Sequence, residues 1–267
     1  MTEYWHWLIA TSLLVGVLER LAPWRRDQRV VRRGLPKDLF YLGFNGHFVG
    51  LALAWLAFDL PVPKAEWASA WPAPVQLLVA VVGLDFIQWG VHNLLHRTPF
   101  LWQIHKVHHS IVELDWIGNF RFHWGEIVIY RAIQYVPLAL MGFAPEVMLV
   151  HAVLATLIGH LNHANLDWDY GPLRYLINNP RMHIWHHAWD EVPAKGANFG
   201  VMLSCWDWLF GTAWMPEERG RAPARLGFEG LAVFPDGLLR QLGLPLDRKD
   251  ASGQEAPVEA EGDEAAD

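Results

Sequence analysis

Two short boxes, His105-Lys-Val-His-His109 and His183-Ile-Trp-His-His187, share the pattern HxxHH and constrain this chain more than any other feature. With His92-Asn-Leu-Leu-His96 and His160-Leu-Asn-His163 they gather ten of the fourteen histidines into four clusters. On a helix, residues i, i+3 and i+4 share one face, so each HxxHH box is expected to aim three imidazoles at one point. A single zinc takes about four protein ligands at most, and ten imidazoles exceed that. Two metals are the economical expectation, held by His92, His96, His105, His108, His109, His160, His163, His183, His186 and His187.

The rest of the chain says where such a site sits. At 267 residues it holds one large domain or two small ones. A hydrophobic fraction of 52%, 16 Trp and a mean hydropathy of +0.11 point to a membrane-embedded part carrying a polar cap. The single cysteine, Cys205, allows neither an internal disulfide nor a cysteine metal site, which fits a reducing compartment. A formal charge of −7 implies no large basic surface and argues against nucleic acid as a partner.

The expected class is an all-α, integral-membrane, multi-pass bundle of about four spans or hairpin limbs. Tyr4 to Leu18 is expected as a first membrane helix and Phe40 to Leu60 as a second. Between them Arg25, Arg26, Arg29, Arg32, Arg33 and Lys37 form a basic loop that belongs in the cytoplasm. Val75 to Val91 then returns to that side and delivers His92 and His96. Ile111 to His123 reads as irregular. Ile127 to Met141 and Val147 to Ile158, joined by Gly142-Phe-Ala-Pro145, are expected to form a helical hairpin. With this topology all four histidine clusters lie on the cytoplasmic face. Residues 1–74 are expected as the N-terminal membrane part, 75–216 as the catalytic domain with its cap, 217–249 as an extension, and the acidic 250–267 as a disordered tail.

Imidazole suits Fe, Zn, Cu and Ni alike, but only a redox metal such as iron activates dioxygen. Ligating histidines hand their second ring nitrogen to acceptors nearby. Asp85, His123, Glu126, Asp167 and Asp207 are the candidates for that supporting role. No GxGxxG fingerprint, P-loop or haem attachment motif is present, so neither bound flavin nor haem is expected. A membrane haem b electron carrier would pair histidines across helices and need no HxxHH triplets. A metal transporter would want its ligands at the bilayer midplane, whereas these fall at the ends of spans. A degenerate binding protein would have lost box ligands, and none is lost.

The order HNLLH, HKVHHS, HWGE at His123 to Glu126, HLNHAN, NNPRMHIWHH and NFGVMLSCWDWLFGT resembles the fatty acid hydroxylase/sterol desaturase superfamily of integral-membrane di-iron enzymes. The resemblance covers about half the chain, Gly83 to Thr212. It implies two Fe ions on the box histidines, O2 as cosubstrate, and hydroxylation or desaturation of a lipid C–H bond. Electrons would come from a ferredoxin-type protein or a cytochrome with its reductase. Asn93, where many relatives carry Arg, and Trp124, where many carry Pro, depart from the pattern at positions able to set substrate preference. With them Trp185, Trp189 and Phe199 are expected to line the apolar pocket. Whether the chain works as a monomer or a homodimer is not set by these residues.

Overall fold

Proline marks the start of five helices, because its fixed φ suits the first turn and its missing N–H is not needed there. The computed structural model describes residues 2–49, 52–53, 65–189, 192–193, 196–216, 218 and 220–244. Within them α1 spans Thr2–Leu21, α2 Leu35–Gly43, α3 Ala73–Arg97, α4 Pro99–His109, α5 Trp124–Leu140, α6 Pro145–His163, α7 Pro180–His186, α8 Cys205–Phe210 and α9 Leu238–Leu242. Phe44–Val49 continues α2 in π-helical turns. The described residues form no β-strand, only isolated bridges between Pro23 and Leu166 and between Ala188 and Leu226. The expected all-α class is observed.

Thr98, caught between α3 and Pro99, is extended at φ −103°, ψ 114°, as the sterics ahead of a proline favour. The chain turns there, which brings the box ending α3 against the box ending α4. The hairpin between α5 and α6 forms where expected. Gly142 takes φ +78°, and a Cβ on it would lie 2.8 Å from the Glu66 Cα. Its second limb runs further than expected, to His163, so both histidines of that cluster ride on the last turn of α6.

α6 is the central helix, packed against α1, α3, α7 and the 3₁₀ turn Trp116–Phe120. Gly159 permits the last of these approaches, since a Cβ there would meet Asn119 Oδ1 at 2.7 Å. Ala80 and Leu84 of α3, Leu138 of α5 and Val147 and Met148 of α6 close an apolar cluster at the end away from the histidines.

Two described helices are long and apolar enough to cross a membrane, α3 with 25 residues and α6 with 19. Leu78, Val79, Val82, Phe86 and Ile87 point outward along α3, as a lipid-facing surface requires. α1 has 20 residues and exposes Trp7, Ile9, Leu13, Leu14 and Val17, but does not reach the same apolarity. Of the expected span Phe40 to Leu60, residues 50–51 and 54–60 fall outside the described residues, as does the tail 250–267.

The basic loop does not stand free of the bundle. Arg32 is buried between Asp38 and Asp115, at 2.5 Å from a carboxylate oxygen of each. Arg121 also pairs with Asp38, and Arg25 donates to the Leu114 carbonyl at 2.9 Å. These residues fasten the loop to the segment 110–123, where the 3₁₀ turn replaces part of the expected irregular stretch.

Candidate metal centre

Nine of the ten cluster histidines converge into two groups. His92, His96, His105, His109 and His186 form the first; His108, His163, His183 and His187 form the second. Within each group the candidate ligand atoms lie within 4.8 Å of one another. The HxxHH boxes do not each aim at one point, which corrects the expectation from helical spacing. The first box sends His105 and His109 to one group and His108 to the other. The second sends His186 to the first group, and His183 and His187 to the second. Adjacent helical residues diverge by about 100°, so His108 and His109 face different sides of α4.

Ring tautomers test whether these groups suit a cation. Nδ1 of His92 lies 2.8 Å from the Phe199 carbonyl, of His108 3.0 Å from that of Arg121, of His163 2.8 Å from that of Gly159, and of His186 2.8 Å from that of Ala197. A carbonyl only accepts, so each Nδ1 carries the proton and each Nε2 presents a bare lone pair. Yet His108 Nε2 and His163 Nε2 stand 3.2 Å apart, two lone pairs facing each other in a buried site. His186 Nε2 has no partner at all among the described residues. Such a set is unfavourable alone and well matched to a metal ion. Burial, reinforced by neighbouring imidazoles, holds His105, His108, His109, His183 and His187 well below the ordinary histidine range, and burial does the same for His186. Neutral imidazole is the form that ligates.

The supporting residues differ from most of the expectations. Glu126 is placed as expected, its Oε1 2.9 Å from His105 Nδ1. Asp85 meets no histidine; it accepts from Met202 N, Leu203 N and the Trp206 indole at 2.7, 3.0 and 2.9 Å. Asp167 pairs with Arg181 instead. Asp207 acts one step removed, accepting from Phe199 N and Gly200 N and so fixing the strand-like segment whose carbonyls orient His92 and His186. His123 is the N-cap of α5, accepting from Gly125 N at Nδ1 and donating from Nε2 to the Leu242 carbonyl. His160 stands outside both groups. Its ring nitrogens are taken up by Ser12 Oγ at 3.0 Å and Asn119 Nδ2 at 3.1 Å.

A cavity of about 150 Å³ opens beside the imidazoles and reaches His92, His105, His108, His163 and His183. Its outer walls come from α1, α5 and α6, including Tyr4, Ile127, Ala152 and Thr156. None of the five residues expected to line a pocket borders it. Trp185 is fully buried in a core cluster with Ile111, Leu114 and Leu226. Phe199 packs behind the His92 ring, Trp189 stacks with Arg225, Asn93 donates to the Trp89 carbonyl, and Trp124 donates to that of Leu242. Arg131, which does line the cavity, escaped the sequence reading. A lone charge in the apolar limb Ile127 to Met141 was the available signal.

Together these features define a helical protein with two buried histidine groups, each able to hold a metal ion, beside helices of membrane-crossing length. The chain belongs to the fatty acid hydroxylase family, whose model matches residues 77–212. It is 34% identical over 254 residues to an ornithine lipid hydroxylase of Rhizobium tropici, covering 90% of this chain and 75% of that protein. It is 30% identical over 202 residues to the alkylglycerol monooxygenase of Danio rerio, covering 76% of this chain but 40% of the relative. The human alkylglycerol monooxygenase is 30% identical over 143 residues, 53% of this chain and 31% of its own. No solved structure matches the chain.

Proposed function

We propose that the chain is an integral-membrane di-iron oxygenase that hydroxylates a lipid C–H bond, with desaturation as the variant outcome of the same chemistry. The observation that carries this reading is the inward convergence of neutral, carbonyl-oriented imidazoles on two neighbouring points beside a cavity. Its relatives act on lipids by name as hydroxylases and monooxygenases. Two iron ions, when bound there, supply the redox chemistry that activates dioxygen toward an unactivated C–H bond.

The chain's own residues do the remaining work. His92, His96, His105, His109 and His186 would hold one ion, and His108, His163, His183 and His187 the other. The carbonyls of Arg121, Gly159, Ala197 and Phe199 keep the Nδ1 protons in place, so each Nε2 stays available without any ring having to flip. Burial of these rings keeps bulk water from the reacting carbon. The cavity wall contributed by α1, α5 and α6 gives a lipid a route in from the apolar side. Both membrane-length helices carry their histidines at the C-terminal end, which supports a multi-pass arrangement with the site at one membrane face, taken as the cytoplasmic one from the basic loop. With no flavin or haem motif in the chain, the electrons come from a ferredoxin-type protein or a cytochrome with its reductase.

Two measurements test the reading. Purified parent should hold close to two irons per chain, falling in the combined His108→Ala and His186→Ala variant. Lipids of a host expressing the chain should show a species with one added oxygen, or two fewer hydrogens, that is absent without it. A zinc-only protein made with iron available overturns the oxygenase reading.

A further inference from the structure

We infer that Arg131 forms an anion-binding subsite in the cavity beside the imidazoles, taking the carboxylate or phosphate group of the lipid; this rests on the lipid oxygenase reading above. Arg131 is the one charged residue on α5 after Glu126. Its Nη1 donates to Gln134 Oε1 at 3.3 Å and to the Tyr135 hydroxyl at 3.0 Å, both neutral acceptors, and its guanidinium sits 5.5 Å from the Tyr135 ring centroid. No carboxylate pairs with it among the described residues. The contrast with the other inward arginines is sharp. Arg32 and Arg121 are each met by Asp38, and Arg32 also by Asp115.

Arg32 and Arg121 thus have carboxylate partners that Arg131 lacks, while Arg25, which also lacks one, is taken up by the Leu114 carbonyl instead. A cation on an apolar helix without a counter-ion is costly, and such residues face cavities and mark ligand paths. Arg131 borders the same chamber as His92, His105 and His108. It lies five residues beyond Glu126, the partner of His105, about 7.5 Å further along the helix axis. Gln88, Asn119 and Asn162 border the same cavity, the amide nitrogens of the last two being taken up by His160 and the Val201 carbonyl. A guanidinium with free N–H donors matches carboxylate and phosphate oxygens in a two-pronged geometry that an ammonium does not reproduce.

Equilibrium binding of dodecanoate, dodecyl phosphate and dodecanol to the purified, iron-loaded full chain tests this. At least one anion should bind the parent about tenfold or more tighter than dodecanol, a charge-assisted preference. Arg131→Gln should abolish that preference while dodecanol binding stays within about twofold, and Arg131→Lys should retain part of it. Inorganic phosphate in excess should fail to displace the preferred anion, marking a lipid-linked group as the ligand. Equal binding of the three probes by the parent, an undiminished preference in Arg131→Gln, or displacement by inorganic phosphate overturns the proposal. Should Arg131→Gln not fold, the parent comparison and Arg131→Lys still decide. Iron content and lipid oxidation are read separately: a chain that keeps the anion preference but oxidises no lipid refutes the oxygenase reading and not the subsite.

Discussion

Glu126 is the only carboxylate among the described residues that meets a box histidine, with Oε1 2.9 Å from His105 Nδ1 and no solvent exposure. Its other oxygen has no partner among the described residues. A buried carboxylate in that position fixes the ring and raises the basicity of Nε2. Glu126→Ala should lower affinity for the metal about 10- to 100-fold. Glu126→Gln, which still offers an acceptor oxygen, should lose less. Chelator competition on purified protein measures both, and equal losses would leave no role for the charge.

His160 and His163 sit three residues apart on α6 and should behave oppositely. His163→Ala removes a member of the second group and should reduce iron per chain. His160→Ala should leave iron content intact and cost about 1–3 kcal/mol of stability through the lost partners Ser12 and Asn119. Elemental analysis beside a denaturant titration separates the two; loss of iron in His160→Ala would return that residue to the ligands.

Metal-free protein should lose stability as pH falls. In the unfolded chain each histidine takes up a proton near pH 6.5. Burial keeps His105, His108, His109, His183, His186 and His187 neutral in the fold to well below that value. Below about pH 6.5 the unfolded chain thus binds more protons, and each group contributes up to about 1.4 kcal/mol of destabilisation per pH unit. Above that pH the contribution vanishes. Melting of the apo protein between about pH 8 and 5.5 should show a steep fall below about pH 6.5; a flat profile contradicts the neutral, buried assignment.

Gly200 follows the residue whose carbonyl holds His92. A Cβ there would lie 2.5 Å from the Leu203 carbonyl oxygen and 2.9 Å from Asp207 Oδ2. Gly200→Ala should cost about 1–3 kcal/mol and loosen the first histidine group. Thermal melting and iron retention report the two effects, and an unchanged protein would show the segment to be free to move.

The helical class and the gathering of nine histidines were legible because spacing on a helix is a local property. The division of each box between two groups was not, since it depends on how α4 and α7 are rotated against their neighbours. The orienting acceptors of His92, His108, His163 and His186 are backbone carbonyls, which carry no side-chain signature. Asp85 looked like a histidine partner by its place two turns before His92, but the loop at Met202 and Leu203 folds over it first. The cap aromatics read as a pocket because large apolar side chains serve a core and a binding wall equally well. Trp185 turned out to serve the core.

The division of the boxes has a consequence for distance. His108 and His109 are consecutive residues, with ring centroids 5.7 Å apart, and belong to different groups; His186 and His187 repeat the arrangement at 5.3 Å. The interval between the two groups is thus bridged twice by one peptide unit, and the two pairs pack against each other, with His109 and His187 rings 4.6 Å apart. No carboxylate belongs to either group among the described residues. The chain thus carries its own spacer: in each box a single peptide unit links one histidine group to the other.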